Sequence, residues 1–105
     1  MKTKLTDITD VVRSKNAGPY ELTFDIMFKT EDWFRRVADA GVIDQALISK
    51  LYGIAPVDVL GIVKFAPAKA IKVTIRRPIS SGALGETDVY GAQQHAPLLG
   101  LEFDL

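Results

Sequence analysis

The chain has 105 residues, which suffice for one domain with a buried core but not for two. Its 48% hydrophobic and 25% charged residues are typical of a folded globular protein and argue against intrinsic disorder. Thirteen basic residues balance thirteen acidic ones, so neither nucleic acid nor an anionic membrane is expected as a partner. The absence of cysteine excludes disulfides, thiol nucleophiles and thiolate metal sites.

The N-terminal segment is predicted to form a short helix. Thr6 is a suitable N-cap, and Ile8, Val11 and Val12 recur at helical spacing. No apolar run resembles a signal region or reaches membrane-spanning length. We therefore expect a cytoplasmic protein with no membrane partner.

Residues 14–19 predict a break after this helix, because Asn and Gly tolerate positive φ and Pro cannot continue a helix. One interpretation is a simple turn that enters the next strand. The other is a backbone nest at Asn16 and Gly18, which would bind an anion beside Arg13 and Lys15.

A strand and a broken helical crossover are predicted next. Residues 21–28 alternate between apolar and polar side chains, which indicates a half-buried strand, and Asp25 on its polar face is interpreted as a solvated or strand-paired acid. Two helices follow, the first from the cap Thr30 to Gly41 and the second from the cap Asp44 to Gly53.

Residues 59–65 are apolar on both faces and predict a strand that is covered on both sides. Residues 70–77 alternate again, so the two segments predict an antiparallel hairpin. Basic residues are concentrated in this hairpin, at Lys64, Lys69, Lys72, Arg76 and Arg77. They indicate either a solvated outer face or an anion site in which Arg76 is the bidentate donor.

Residues 78–97 form a connection far longer than the usual four to six residues, and such loops are commonly functional. The loop contains the single histidine, His95, which has a pKa suited to proton transfer. Tyr90, Gln93 and Gln94 are candidates to hold a carboxylate or an oxyanion, and Asp88 to orient the imidazole ring. The alternative is that His95 is a structural hydrogen-bonding residue. No convincing metal ligand set is present, and no cofactor is expected.

These elements, closed by a strand over residues 99–103, predict an α+β fold. The expected architecture is a ferredoxin-like antiparallel sheet with the broken helical crossover packed on one face and the long loop replacing the second helix. In that topology the strand over residues 59–65 lies at an edge of the sheet. Because an apolar edge is an aggregation hazard, we expect the protein to be an oligomer or a subunit.

Three segments also carry a resemblance to a known family: residues 12–25, residues 60–63 and residues 87–99. They resemble the small proteins of domain-of-unknown-function family 4387, which is itself similar to the C-terminal ferredoxin-fold domain of the acyclic terpene utilisation AtuA proteins. The resemblance implies a small subunit that works beside an AtuA-like large protein in carboxylic-acid or acyl-CoA metabolism, in a hydration or dehydration step. It implies that the first and last segments form an interface or a site.

Three functions therefore stay open. The leading hypothesis is an accessory or site-completing subunit of a heteromeric hydro-lyase, inactive when isolated. The second is an independent homo-oligomeric enzyme that depends on His95. The third is a binding module for a small carboxylate or CoA ester that uses Arg13, Lys15 and the turn from Asn16 to Gly18.

Overall fold

The structure is a computed structural model that describes residues 2–18, 20–76 and 96–105. Within these ranges it contains six strands and three α-helices. In chain order they are β1 Lys2–Lys4, α1 Leu5–Ile8, β2 Thr9–Gly18, β3 Glu21–Phe28, α2 Glu31–Ala40, α3 Gln45–Tyr52, β4 Val59–Phe65, β5 Ala70–Arg76 and β6 Glu102–Asp104. None of the helices in these ranges is long and apolar enough to cross a bilayer.

The main sheet has four antiparallel strands in the order β2, β3, β5, β4. Its inner face is set by strict alternation in the two central strands, because successive side chains of a strand point to opposite faces. The apolar residues of β3 and β5 on this face are all buried: Leu22, Phe24, Ile26, Phe28, Ile71, Val73 and Ile75. The core of the domain therefore lies on one side of the sheet.

The helical crossover covers this inner face. The Thr30 hydroxyl accepts the Trp33 amide at 3.1 Å at the start of α2, and Gly41 ends that helix with φ of 64°. The rings of Phe28 and Phe34 meet edge to face at 6.2 Å between centroids, and those of Phe24 and Tyr52 stack at 4.8 Å. Both helices are thereby fixed to β3 by aromatic contacts.

The arrangement is ferredoxin-like, as the sequence predicts. Strands β3 and β4 are joined by the helices and both lie antiparallel to β5, which is inserted between them. This is a split β-α-β unit, and it leaves β4 at one edge of the sheet. The loop that is predicted to replace the second helix falls mostly on residues 77–95, outside the described residues.

The prediction is wrong for residues 9–18. The helix α1 ends at Ile8, and β2 then runs to Gly18 through the predicted break. The β-branched residues Thr9, Val11 and Val12 favour a strand, and this strand pairs with β3 along its whole length. Its alternation is inconspicuous in the sequence because Ser14, which is buried on the inner face, is polar.

The predicted closing strand is also displaced. A short 3-10 turn, Ala96–Gly100, buries Leu98, and β6 follows it. Strand β6 pairs with β1 in a separate two-stranded sheet, where Lys2 lies opposite Asp104 and Lys4 opposite Glu102. Opposite charges across an antiparallel pair favour this register.

The N-cap of α3 gives a first test of the fold. The Asp44 carboxylate accepts the Leu47 amide at 2.8 Å. We expect Asp44→Ala to lower the free energy of unfolding by about 1 kcal/mol in a urea titration, because a helix amide loses its partner. Asp44→Ser, which keeps a capping oxygen, should recover most of the loss. Equal losses in both variants would contradict a capping role.

Tyr52 gives a pH-dependent test. Burial raises the pKa of its hydroxyl above the ordinary 10.0, because the folded protein disfavours the phenolate. The unfolded chain therefore loses this proton at lower pH than the folded one, and the contribution to stability falls as pH rises above about 10. We expect the unfolding temperature of Tyr52→Phe to fall less steeply between pH 9.5 and pH 11 than that of the wild type. Parallel curves of unfolding temperature against pH for the two proteins would contradict the expectation.

Candidate functional site

The face of the main sheet opposite α2 and α3 carries three of the candidate residues, Arg13, Lys15 and Arg76, and we call it the outer face. Its side chains alternate with those of the core, so the strand register fixes its membership. It consists of Val11, Arg13 and Lys15 of β2, Glu21, Thr23, Asp25 and Met27 of β3, Ala70, Lys72, Thr74 and Arg76 of β5, and Gly61, Val63 and Phe65 of β4.

A partly buried ion pair lies on the outer face. The Arg13 Nε donates to an Asp25 carboxylate oxygen at 3.0 Å, and the two residues are direct cross-strand partners. The Asp25 side chain is only 5% exposed, whereas that of Arg13 is 55% exposed. Lys72 is the register partner of Asp25 on the other side. The carboxylate is thus flanked by basic residues of both neighbouring strands.

This pairing gives Arg13 a defined orientation. A guanidinium has five N–H donors, and the bond from Nε to Asp25 occupies one of them. Lys15 follows two residues later on the same strand and face, opposite Thr23. The hydroxyls of Thr23 and Thr74 approach to 3.4 Å across the next strand pair. A planar cation, an ammonium and two hydroxyls on one face are suited to binding a carboxylate or a phosphate.

The structure brings three predicted site residues to this face and places Asn16 on the opposite one. Arg13, Lys15 and Arg76 lie on the outer face, although Arg76 leans towards Asp58 with a 3.6 Å ion pair. Asn16, the neighbour of Lys15 in an extended strand, belongs to the opposite face, and Gly18 ends β2 opposite Glu21. The segment from residue 14 to 18 is therefore a strand rather than the predicted turn.

An apolar row crosses the outer face beside the ion pair. The register aligns Val11, Met27, Ala70 and Phe65 across all four strands. Val11 and Phe65 at its two ends are exposed, and Val63 continues the row along β4. The Lys72 ammonium lies 5.2 Å from the centroid of the Phe65 ring. The outer face therefore combines an apolar half with a charged half.

The edge strand β4 exposes three large apolar side chains. Val63 is 57% exposed, and Leu60 and Phe65 are each 43% exposed. The edge position predicted from the sequence is confirmed, but within residues 2–18, 20–76 and 96–105 no strand covers the free edge. An open depression of about 290 Å³ lies beside it, lined by Gln45, Val59, Gly61 and Ile62.

The remaining predicted site residues cannot be placed. His95, Asp88, Tyr90, Gln93 and Gln94 lie outside the described residues, as does Arg77 of the basic cluster. Among the residues that are described, no group of three His, Cys, Asp or Glu side chains is close enough to hold a metal ion.

Asp25, which the sequence predicts to be a solvated or strand-paired acid, is strand-paired. It accepts from Arg13 across the strand pair and is one of the most buried ionisable groups described. Its partner Arg13 was assigned to a helix and turn, so the cross-strand pair was not recognisable. The twelve-residue separation of the two residues is that of a hairpin pair, and this was the available signal.

The fold and the outer face define a small ferredoxin-like α+β domain whose sheet is covered by helices on one side and carries an ion pair and apolar side chains on the other. The family described as a domain of unknown function (DUF4387) matches residues 5–102, and the chain belongs to this family. The comparison with curated proteins found no match. The comparison with solved structures likewise found none.

A double-mutant cycle tests the ion pair. We expect Arg13→Ala to lower the free energy of unfolding by about 1–2 kcal/mol, because the Asp25 carboxylate stays buried without its guanidinium. Arg13→Ala combined with Asp25→Ala should cost less than the sum of the two single changes.

The exposed pair of Arg35 and Glu31, 2.7 Å apart on α2, is the matched control. Its coupling free energy should not exceed about 0.5 kcal/mol, because both side chains are solvated. Equal coupling in the two cycles, measured by urea unfolding, would show that the burial of Asp25 confers no special role.

Proposed function

We propose that the chain is a small accessory subunit of a heteromeric enzyme of carboxylic-acid or acyl-CoA metabolism. In this proposal the large subunit is AtuA-like, the reaction is a hydration or dehydration, and the complex is cytoplasmic. The small subunit completes the site of the large one and is inactive alone. The observation that carries the proposal is the apolar row on the outer face of the sheet.

The composition of the outer face supports a protein partner. Exposed apolar side chains that form a contiguous patch are typical of interaction surfaces, whereas scattered ones are not. Here Val11 and Phe65 lie at opposite ends of one row, with the half-buried Met27 and the fully buried Ala70 between them. Covering this row with a second protein would remove apolar surface from water, which is the main driving force of association.

The charged half of the outer face supports a role at the active site of the complex. Asp25 holds Arg13, so the guanidinium is oriented before any ligand binds. Such preorganisation reduces the entropy lost on binding. A large subunit that covers the apolar row would bring its own residues beside Arg13 and Lys15. The arginine would then bind the carboxylate of a substrate in a partly desolvated site, where ionic hydrogen bonds are stronger.

A second candidate function is a binding module for a small anionic metabolite. The observation that favours it is the placement of Arg13, Lys15 and the paired hydroxyls of Thr23 and Thr74 on one face. Thermal stabilisation of the isolated chain by succinate or butyryl-CoA, lost in Arg13→Lys and kept in Arg35→Lys, would support it. The third possibility, an independent enzyme, depends on His95 and stays a prediction.

The subunit proposal is tested by affinity capture of the tagged chain from its native host, with intact-mass measurement of the eluted complex. We expect one large subunit, identified by peptide mass spectrometry as AtuA-like, and hydratase activity in the complex but not in the isolated chain. Met27→Lys should abolish capture, because it places a charge at the centre of the apolar row.

Ala40→Lys adds the same charge at an exposed position of α2 and is the control. Circular dichroism would establish that both variants are folded. Elution of the wild type without a large subunit would contradict the proposal. Capture that survives Met27→Lys would show that the partner does not bind at the outer face.

A further inference from the structure

Within residues 2–18, 20–76 and 96–105, no strand covers the free edge of β4. Natural edges are often protected by charged side chains, above all lysine, by proline or by a bulge, and the irregular pairing of β4 is confined to its start, between Val59 and Gly61. The single charged residue of β4, Lys64, is directed away from the edge, because its ammonium donates to the Ala38 carbonyl at 2.8 Å near the end of α2. Within the described residues, the strand thus presents unpaired backbone groups flanked by exposed apolar side chains.

The part of β4 that pairs regularly with β5 is short and has a single central residue. The pairing of β4 with β5 is irregular between Val59 and Gly61 and continues without a shift from Gly61 to Phe65. Val63 lies in the middle of these residues. It is also the most exposed of the large apolar side chains of the strand. A partner strand that used the regular part symmetrically would therefore be centred on Val63.

About this centre, the side chains of β4 are complementary to those of β4 in a second, antiparallel copy of the chain. In an antiparallel pair with Val63 opposite Val63 of a second copy, Gly61 of each copy lies opposite Phe65 of the other. No atom of the described residues lies within 4 Å of the position that a Gly61 Cβ would occupy, so an aromatic ring can lie over the glycine. Phenylalanine opposite glycine is a recognised way of stabilising a glycine in a sheet.

The inner side of the same edge accepts this pairing as well. There Ile62 lies opposite Lys64 of the second copy, beside the open depression lined by Gln45 and Ile62. The two Lys64 ammonium groups are each directed to their own helix, so they do not face one another. No like charges are placed opposite each other in this register.

We propose that β4 pairs with β4 of a second copy of this chain, antiparallel and about a two-fold axis at Val63. The pairing joins two four-stranded sheets into one sheet of eight strands. All crossover helices lie on one side of it, and the two outer faces form one continuous surface on the other. The homodimer goes beyond the proposed function, because it forms from the chain alone and leaves the apolar row available to a large subunit.

The natural absence of cysteine allows a direct test. Purified Val63→Cys should form a disulfide-linked dimer under oxidised glutathione, because opposite residues of an antiparallel pair have Cα atoms about 4.5–5.5 Å apart, within disulfide range. Leu60→Cys is the control on the same strand. Its two thiols would lie about 20 Å apart in this register, too far to be bridged.

Val11→Cys is a second control, an exposed valine on the opposite edge strand. We expect Val63→Cys to cross-link at least about tenfold faster than either control, because thiols within a dimer have an effective concentration in the millimolar range. Sedimentation of the wild type should give twice the 11.5 kDa mass of the chain. Val63→Lys should give a folded monomer.

Each alternative result overturns the inference. Equal cross-linking in the three cysteine variants would mean random collision, and a monomeric wild type at micromolar concentration would mean an unpaired edge. A dimer that persists in Val63→Lys would place the interface elsewhere. Capture of a large subunit is a separate measurement. A negative result for the homodimer therefore does not contradict the subunit proposal, and a negative result for capture does not contradict the homodimer.

Discussion

The one-sided burial of the sheet is the constraint on which the rest of the structure depends. The central strands β3 and β5 direct every large apolar side chain except Met27 to the inner face. At about 25 cal/mol per Å² of apolar surface, burial of these side chains is the main favourable term in folding. One helical crossover suffices to cover them, and its aromatic residues Phe34 and Tyr52 contact β3 directly. The helices therefore have no part in covering the other face.

The outer face is left to satisfy its own polar groups. Burying the Asp25 carboxylate costs free energy, and the Arg13 guanidinium offsets part of that cost. Replacing such a pair with apolar residues is often neutral or stabilising, so stability alone gives little reason for an ion pair at this position. Orientation of Arg13 towards a ligand gives a better reason for an ion pair at this position. This argument links the burial of Asp25 to the proposed role of the face in binding a carboxylate.

The sequence predicted the elements that have a strong period and clear caps. The alternation of residues 21–28, the caps Thr30 and Asp44, and the glycines that end both helices all lie where the sequence places them. Strand β2 was missed because Ser14 and Asn16 are polar on its inner face, whereas Ile8, Val11 and Val12 imitate a helical period. Local pattern cannot reveal that a polar residue is satisfied by tertiary contacts.

That single error concealed the centre of the candidate site. With Arg13 assigned to a helix, no argument from the sequence could place it opposite Asp25. The spatial arrangement of the basic residues of the hairpin could not be predicted either. The edge position of β4 was predicted because it follows from topology, which requires only the order of the elements. Strand register and side-chain burial, in contrast, depend on contacts between residues far apart in the chain.

Hydrogen exchange at the backbone amides of β4 tests most directly the claim that the sheet is completed by association. We expect the amides of residues 61–65 whose N–H groups point away from β5 to exchange slowly at high protein concentration and to lose this protection on dilution or in Val63→Lys. Amides of β3, in the interior of the sheet, should be unaffected by dilution. Rapid exchange of those β4 amides at every concentration would contradict the account, because it would mean that the free edge stays open to water.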